Sequence, residues 1–578
     1  MWIVLAFVLS ALFAVLICGP VMVDPTNTSW IIADLATQHF GWEQYRADPA
    51  SILSLTTDRS SWPLPMNVSL FDSMPIIAFL LKLIAPLLPA NFQYIGPAFV
   101  ANVGLQGAFA YLLLKESAPR QGPDWRFNVA LFVGASFFAT APVLFARLYM
   151  GHPSLTAQWL IVAALWLYVR AERVSFAKTI FGFALLCAIS AGITPYLSVM
   201  VLLVYAGFVL ALAMKGQFTR QRAAATLIPL GTMAIALYAF GFLDPFGKGA
   251  YPGSGYGYYS SNFNTLFNPM PDYIGSSILP PLPLSLPGQY EGYGYVGVGG
   301  LCIIAFGMFY GRVKGNPDVR PNLPLYAVAM AAFILALSRY VSIGTFVGEI
   351  HLPAALTHAL EIFRSSGRFV WVTIYILLFA AISNILKHLE PKQSFYVLLI
   401  GATLQFVDLA GPFVSLHQRF ATFHARRFSD PLYAGLGKAH DTLIVMPPWQ
   451  CGPWQYRRGI TPMEYDQMVF EPISNLVIDN HLRTNSFYAG RLLITQADYH
   501  CVSFPQQFEA KPLDPHTAYI FSMRNFLLHG KFAAQTHYCD FAEDLFLCRG
   551  DRGQAGLSDR AKRAMALVPT AKHFHIKL

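Results

Sequence analysis

FRSSGRFVWVTIYILLFAAISNILKHLEPK, residues 363–392, holds an apolar core from Phe369 to Leu386 without a single charged side chain. As an α-helix that core is about 27 Å long, close to the roughly 30 Å of a bilayer's hydrocarbon. Arg364 and Arg368 precede it; Lys387 and Lys392 follow it. A helix in a soluble core is normally shorter and amphipathic, so this stretch reads as a membrane span. The pattern repeats outward from it. Apolar runs lie at about 2–23, 92–114, 128–146, 154–170, 177–193, 196–214, 223–243, 293–311, 322–338, 369–386 and 394–412. One or two such runs fit inside a soluble protein; about eleven do not. After Ser415 no further run occurs. The sequence therefore predicts an α-helical polytopic membrane protein, with about 11 transmembrane helices in 1–412 and a small α/β soluble domain in 413–578.

Composition agrees. Hydrophobic residues make up 55% of the chain and charged residues 12%, about half the charged share of a soluble domain. The net charge of +9 carries no nucleic-acid signal, because no basic stripe with interleaved aromatics accompanies it. Lys and Arg sit instead in alternate connections: KESAPRQGPDWR, RAERVSFAK, KGQFTRQR and GRVKGNPDVR hold three each and KHLEPK two. The positive-inside rule places these in the cytoplasm. Loops 24–91, 147–153, 244–292 and 339–368 and the tail then lie outside. The N-terminus is cytoplasmic, and its first run, without a basic leader or cleavage site, is a retained span. PIIAFLLKLIAPLLP, 75–89, is too short to span, contains Lys82 and is bracketed by prolines; it reads as an interfacial or re-entrant helix on the outer surface.

Loop 244–292 is rich in Gly, Tyr and Pro, the composition of an ordered lid or sugar-binding wall, or of an interfacial tyrosine belt. In the tail, DTLIVMPP, TAYIFSM and DLFLC read as strands, and LSDRAKRAMALV, 557–568, as a helix with Ser558 as N-cap. Cys18, Cys187 and Cys302 lie in apolar runs; Cys451, Cys501, Cys539 and Cys548 lie in the tail without CxxC spacing, so a zinc site is not expected. An external tail permits disulfides. Cys539 with Cys548 and Cys451 with Cys501 make one set, although sequence alone leaves the pairing open.

The chain has no Walker loop, HExxH, GxSxG or dinucleotide fingerprint. Polar groups concentrate in the first outer loop, where Asp24, Asp34 and Asp72 lie with His39, Trp42 and Arg46. A carboxylate just outside a membrane can act as general base on an acceptor hydroxyl; the bland reading is a solvated loop charge or helix cap. Several carboxylates there are also able to hold Mg or Mn through oxygen, though no spacing demands a metal. Arg364 and Arg368, four apart, are expected on one helical face, where two guanidiniums would hold a lipid phosphate or simply snorkel.

The order of these pieces resembles a group of uncharacterised bacterial multi-pass proteins of the C-type (GT-C) glycosyltransferase superfamily. That group's first outer loop follows a pattern like Gly-Asp-Pro-x-x-His-x-x-Gly-Trp-x-x-Phe-Arg. Here the stretch is ADLATQHFGWEQYR; aligned on Gly41 and Trp42, Asp34 takes the acidic position and Arg46 the arginine. Ala33 and Leu35 stand where the pattern has Gly and Pro. Gln38 stands at the histidine position, with His39 one residue on. Further matches are FDSMPIIAFLLKL with Asp72, ARLYMGHPSLTAQWL with Arg147, His152 and Gln158, GYGYYSSNF with Tyr258, QYEGYGYVGVG with Glu291, and FRSSGRFVW with Arg364 and Arg368. The resemblance covers about 1–412. It implies a polyprenyl-phosphate sugar donor and an acidic residue in the first outer loop; no cofactor is certain, and whether Mg or Mn takes part is left open.

The function expected is inverting sugar transfer at the outer face of a bacterial inner membrane. Asp34 would be the base, with Asp72 or Asp24 as rivals, and Arg364 and Arg368 would steady the departing phosphate. The acceptor would be a glycan, lipid or protein, met in part by the periplasmic tail; nucleic acid is not a partner. Two other classes compete: a lipid or sugar transporter or flippase, and a non-catalytic envelope assembly protein on a degenerate fold of this type. Transporters concentrate ionisable groups at the midplane and show repeats, whereas here the ionisable groups gather at the outer ends of runs.

Overall fold

The structure, a computed structural model, describes residues 1–51, 54–118, 125–243, 249–250, 255–270, 274–314, 323–452 and 470–567. Parts of the basic connections (119–124 and 315–320), of the Gly- and Tyr-rich loop (244–248, 251–254 and 271–273) and the last residue of the expected 557–568 helix lie outside them.

Every apolar run is helical. Six helices are long and apolar enough to cross a membrane among the described residues: Ile95–Ser117, Trp125–Tyr149, Pro195–Met214, Arg220–Ala239, Ser366–His388 and Pro391–Thr422. The other five runs form shorter helices of 12 to 17 residues: Trp2–Cys18, Trp159–Arg170, Phe176–Ala191, Val298–Lys314 and Leu323–Leu337. The chain divides into two compact units. The first, Met1–Trp30, Pro89–Phe240 and Pro252–Phe423, holds all of these helices. The second, Ile31–Leu88, Gly241–Tyr251 and His424–Leu578, holds the sheet.

Close approach holds the first unit together. A Cβ at Gly299 would lie 2.1 Å from the Gly401 carbonyl oxygen, so only glycine lets these two helices meet there. Pro412 sits inside Pro391–Thr422 and cannot donate to the Asp408 carbonyl four residues back. Ser277 N–H donates to that carbonyl instead, at 2.8 Å. The fully buried Asp408 carboxylate accepts from Tyr295 OH at 2.7 Å and from the Val298 N–H at 3.0 Å. Gln405 Oε1 takes the Gly300 N–H at 2.9 Å. Asp408 and Gln405 thus cap the N-terminus of Val298–Lys314, whose first N–H groups lack intrahelical partners.

The second unit contains a six-stranded sheet with the order Gly556–Leu557, Tyr538–Ala542, Leu545–Arg549, Thr517–Phe521, Thr442–Met446, Arg483–Thr484. Thr442–Met446 pairs in parallel with both its neighbours, and Leu545–Arg549 is antiparallel to both of its own. The two central parallel strands are buried throughout, which is why they read as unbroken apolar runs. Ser558 caps Asp559–Ala566, accepting from the Ala561 N–H at 3.0 Å. Disulfides join Cys451 to Cys501 and Cys539 to Cys548, the second pair facing each other across the 538–549 hairpin.

The first outer loop, expected within the membrane domain of 1–412, folds with the tail. Its helix Asp34–Ala47 buries Phe40, Trp42 and Tyr45. Phe40 meets Phe470 edge-on at 5.5 Å, and the Glu471 carboxylate accepts from the Ala33 N–H at 3.2 Å. A Cβ at Gly41 would stand 2.4 Å from Phe71 Cβ, so glycine there lets the helix close on Phe71. Lys82 Nζ donates to the carbonyls of Tyr45, Arg46 and Asp48 at 2.6, 2.9 and 2.6 Å. It closes the helix C-terminus with a cation, the sign the helix dipole favours.

Candidate functional site

Four residues singled out in the sequence meet in the first unit. Arg147 lies in the last turn of the helix Pro142–Tyr149, and His152 at the start of the turn that follows. Glu291 sits in a 3₁₀ turn, Pro287–Gly292, and Arg368 in another, Ser366–Phe369, that opens the span quoted first. Glu291 Oε2 accepts from Arg147 Nη1 at 2.5 Å and from Arg368 Nε at 2.9 Å; Oε1 accepts from Arg368 Nη2 at 2.9 Å. Arg147 Nη2 also donates to the Glu291 carbonyl at 2.8 Å. The Arg368 contact is a bidentate fork, the strongest geometry for this pair.

All three residues are buried: Arg147 is 0%, Glu291 3% and Arg368 8% exposed. Burial by itself would raise the Glu291 carboxyl. The Arg368 and Arg147 guanidiniums outweigh it, with His152 adding to them, and hold the group well below the usual carboxylate range. His152 Nε2 lies 3.7 Å from Glu291 Oε1. Its Nδ1 is 2.8 Å from the Met150 carbonyl, an acceptor only, so Nδ1 carries the proton. Burial pushes His152 down to about 4, which leaves it neutral near pH 7 with an Nε2 lone pair.

Among the described residues the charge does not balance. Two guanidiniums face one carboxylate and a neutral imidazole. Arg147 Nε is buried and makes no hydrogen bond among the described residues. An isolated buried charge is costly unless paired, so the cluster is suited to an anion. Aromatic faces complete it. Arg147 lies over Trp371 at 5.1 Å and Arg368 over Tyr196 at 4.6 Å. Arg364, partly exposed, lies over Tyr259 at 4.7 Å. Tyr259 in turn meets Tyr258 at 4.9 Å and Tyr290 at 6.0 Å. Flat guanidiniums stack on such rings while keeping their edge donors.

Arg364 and Arg368 do not share a helical face as expected. Ser365, at φ −103° and ψ 66°, is not helical, and the helix begins after it. Arg368 turns inward to Glu291, and Arg364 stays on the tyrosine wall. Gln158 stands apart from the cluster: it accepts from Tyr375 OH at 2.6 Å and donates to the Leu155 carbonyl at 3.2 Å. Tyr196, Tyr259 and Trp371 were missed as site residues. Tyr259 neighbours Tyr258 in a quoted match, whereas nothing in the local sequence marks Tyr196.

Of the remaining sequence candidates, Asp24 belongs to the first unit and the others to the second. Asp24 is exposed, and hydrogen bonds from the Thr26 hydroxyl and N–H at 2.7 and 2.8 Å hold its carboxyl below the ordinary value. In the second unit Asp34 is the first residue of Asp34–Ala47, where a carboxylate complements the helix dipole. Trp42 is buried, and Arg46 donates to Glu43 at 3.4 Å and to the Leu88 carbonyl at 3.1 Å. Asp72 follows a 3₁₀ turn in the left-handed region, φ 58°. His39 is 5% exposed, its Nδ1 makes no hydrogen bond among the described residues, and burial takes it down to about 4. Gln38 beside it has neither side-chain polar atom hydrogen-bonded there. Glu43, another carboxylate of the first outer loop, is pushed up to about 7 by burial, against the pull of Arg46. No three His, Cys, Asp or Glu side chains converge to hold a metal among the described residues.

A family model described as a domain of unknown function, DUF6311, matches residues 7–410. A second, described as the DUF6311 C-terminal domain, matches residues 433–549. No curated protein matches the sequence. With well over half of its length matched, the chain belongs to the DUF6311 family.

Proposed function

We propose that this chain is an inverting glycosyltransferase with a GT-C-type membrane domain, taking sugar from a polyprenyl-phosphate donor at the outer face of a bacterial inner membrane. The observation that carries the reading is the excess positive charge buried around Glu291, with an unused Arg147 Nε and the half-covered Arg364 beside it. A phosphate supplies the missing negative charge and several acceptor oxygens. In the reaction an acceptor hydroxyl gives its proton to a carboxylate, assigned to Asp34 on the family resemblance. The oxygen attacks the anomeric carbon as the bond to phosphate breaks, and the lipid phosphate leaves with the bonding pair. Attack opposite the leaving group inverts the anomeric centre. Arg147 and Arg368 would stabilise the phosphate as it gains charge.

The topology belongs to the same proposal. Eleven spans put the N-terminus in the cytoplasm and the second unit in the periplasm. The basic connections support this, and so do two disulfides in the second unit, which persist in oxidising compartments. The test is sugar transfer from a polyprenyl-phosphate-sugar pool by the purified full chain and its Asp34→Asn, Asp24→Asn and Asp72→Asn variants. Loss of a general base should slow turnover by roughly 10²–10⁴-fold. A folded Asp34→Asn chain with normal transfer would remove that residue from the mechanism. Binding of the lipid donor without any transfer would favour a carrier or a non-catalytic assembly protein.

A further inference from the structure

Arg339 and Arg364 both belong to the first unit. Arg339 follows the helix Leu323–Leu337, just before the hairpin of Tyr340–Ile343 and Phe346–Glu349; Arg364 lies just before the turn Ser366–Phe369. One segment, residues 255–263, ties the two places together. The Ser261 N–H donates to the Ala336 carbonyl at 2.7 Å, the Phe263 N–H to the Ser342 carbonyl at 2.9 Å, and the Gly367 N–H to the Tyr259 carbonyl at 3.0 Å. Two glycines at its start have positive φ, Gly255 at 143° and Gly257 at 93°. A Cβ at Gly255 would stand 2.7 Å from Arg364 Cγ; one at Gly257 would stand 2.5 Å from Tyr340 Cδ2 and 3.3 Å from Arg339 Cγ. Bare backbone thus lets the stems of both arginines lie against one strip. Two residues of chain reach at most about 7 Å, so the two stems are neighbours.

We propose that Arg339 and Arg364 form a second oxyanion subsite beside the Glu291 cluster, for a carboxylate on the transferred sugar or a second phosphate in the donor. This rests on the lipid-phosphate reading above and narrows it: the donor carries two anionic groups. Three observations support it. First, neither guanidinium has a counter-ion among the described residues. Arg339 donates to Tyr340 OH at 3.1 Å, while Glu349, exposed and opposite Tyr340 in the hairpin, makes no ion pair with it. Glu361, three residues before Arg364, faces His358 instead, at 3.9 Å. No Asp or Glu occurs from Gly255 to Met270. Arg339 Nε is moreover buried without a hydrogen bond, a cost that a charged partner relieves. Second, both guanidiniums lie over tyrosine rings, Arg339 over Tyr340 and Arg364 over Tyr259, each at 4.7 Å. A ring face holds a guanidinium in place and leaves its edge donors for an oxyanion. Third, the subsite adjoins the first cluster. Tyr259 meets Tyr290 at 6.0 Å, and the Tyr290 carbonyl accepts from Arg147 Nη2 at 3.4 Å. One ligand with two anionic groups therefore has donors for both.

The test is calorimetric titration of the purified full chain in mild detergent with three probes. Farnesyl phosphoglucose carries one negative charge; farnesyl phosphoglucuronate adds a carboxylate, and farnesyl diphosphoglucose adds a phosphate. One of the doubly charged probes should bind about 10- to 100-fold tighter than phosphoglucose, the value of one charge-assisted hydrogen bond. Which probe gains identifies the second anion. Arg339→Gln should abolish the gain and leave phosphoglucose binding unchanged, which also shows that the variant is folded; Arg339→Lys, which keeps the charge, should retain part of the gain. Equal affinity for all three probes, or a gain that survives Arg339→Gln, would overturn the subsite. If no lipid probe binds, the donor reading falls, and the subsite is decided by free glucuronate and inorganic diphosphate. Either should then shield Arg339 and Arg364 from phenylglyoxal, read by mass spectrometry. Shielding would keep the subsite without the lipid donor, and its absence would overturn both.

Discussion

Replacing Glu291 with Gln keeps the side chain's shape and removes its charge. The carboxylate accepts three guanidinium hydrogen bonds at 2.5, 2.9 and 2.9 Å with a side chain 4% exposed. Breaking a buried ion pair from one side costs about 3–5 kcal/mol, because the partner charge stays buried without its counter-ion. Two such charges stay behind here, so Glu291→Gln should fall in that range. Arg147→Met should cost less, since Arg368 and Glu291 remain as a balanced fork. Combined, the two changes should be non-additive by at least about 1 kcal/mol, the second guanidinium being worth removing once its counter-ion has gone. Denaturant unfolding of the full chain in mild detergent, read as midpoints at constant slope, measures all four species. Additivity within about 0.5 kcal/mol would refute the description of one coupled cluster. So would a Glu291→Gln cost below about 1 kcal/mol, far under what a buried pair demands.

Lys82→Met should destabilise the second unit by about 2–4 kcal/mol, since three carbonyls lose their shared donor; an unchanged midpoint would show the cap to be idle. Glu43, pushed up to about 7 from an ordinary 4.5, binds its proton more tightly folded than unfolded. Its contribution is therefore full below about 4.5 and is lost as pH rises to about 7. Glu43→Gln should flatten that loss, seen as a pH-dependent difference from wild type; a constant difference across pH 4.5–7 contradicts it. His152 and His39, both lowered to about 4, act with the opposite sign, stability falling as pH drops from about 6.5 to 4. Without reductant, alkylation of the unfolded chain should spare Cys451, Cys501, Cys539 and Cys548. Mass spectra showing all four modified would contradict both disulfides.

Much of the secondary structure was legible because each element is decided locally. Apolar runs such as Phe369–Leu386 are helical whatever surrounds them, and DTLIVMPP and TAYIFSM announce strands by their unbroken apolar centres. Ser558 was readable as an N-cap from its place before a helical pattern. Pairings across long stretches of chain were not. Glu291 meets Arg147 and Arg368 over 144 and 77 residues, and nothing in a local window reports that distance. The spacing of Arg364 and Arg368 misled because one non-helical residue, Ser365, redirects the chain between them. The first outer loop joined the tail for a similar reason: Phe40 finds Phe470, and the Ala33 N–H finds Glu471, only once the chain has folded back.

The central claim is that a lipid phosphate completes the charge around Glu291. Electron cryomicroscopy of the full chain in nanodiscs doped with polyprenyl phosphate tests it most directly. The account predicts phosphate density within hydrogen-bond reach of Arg147 or Arg368, with Arg364 alongside. Phosphate bound elsewhere, or an unoccupied cluster at saturating lipid, would contradict it.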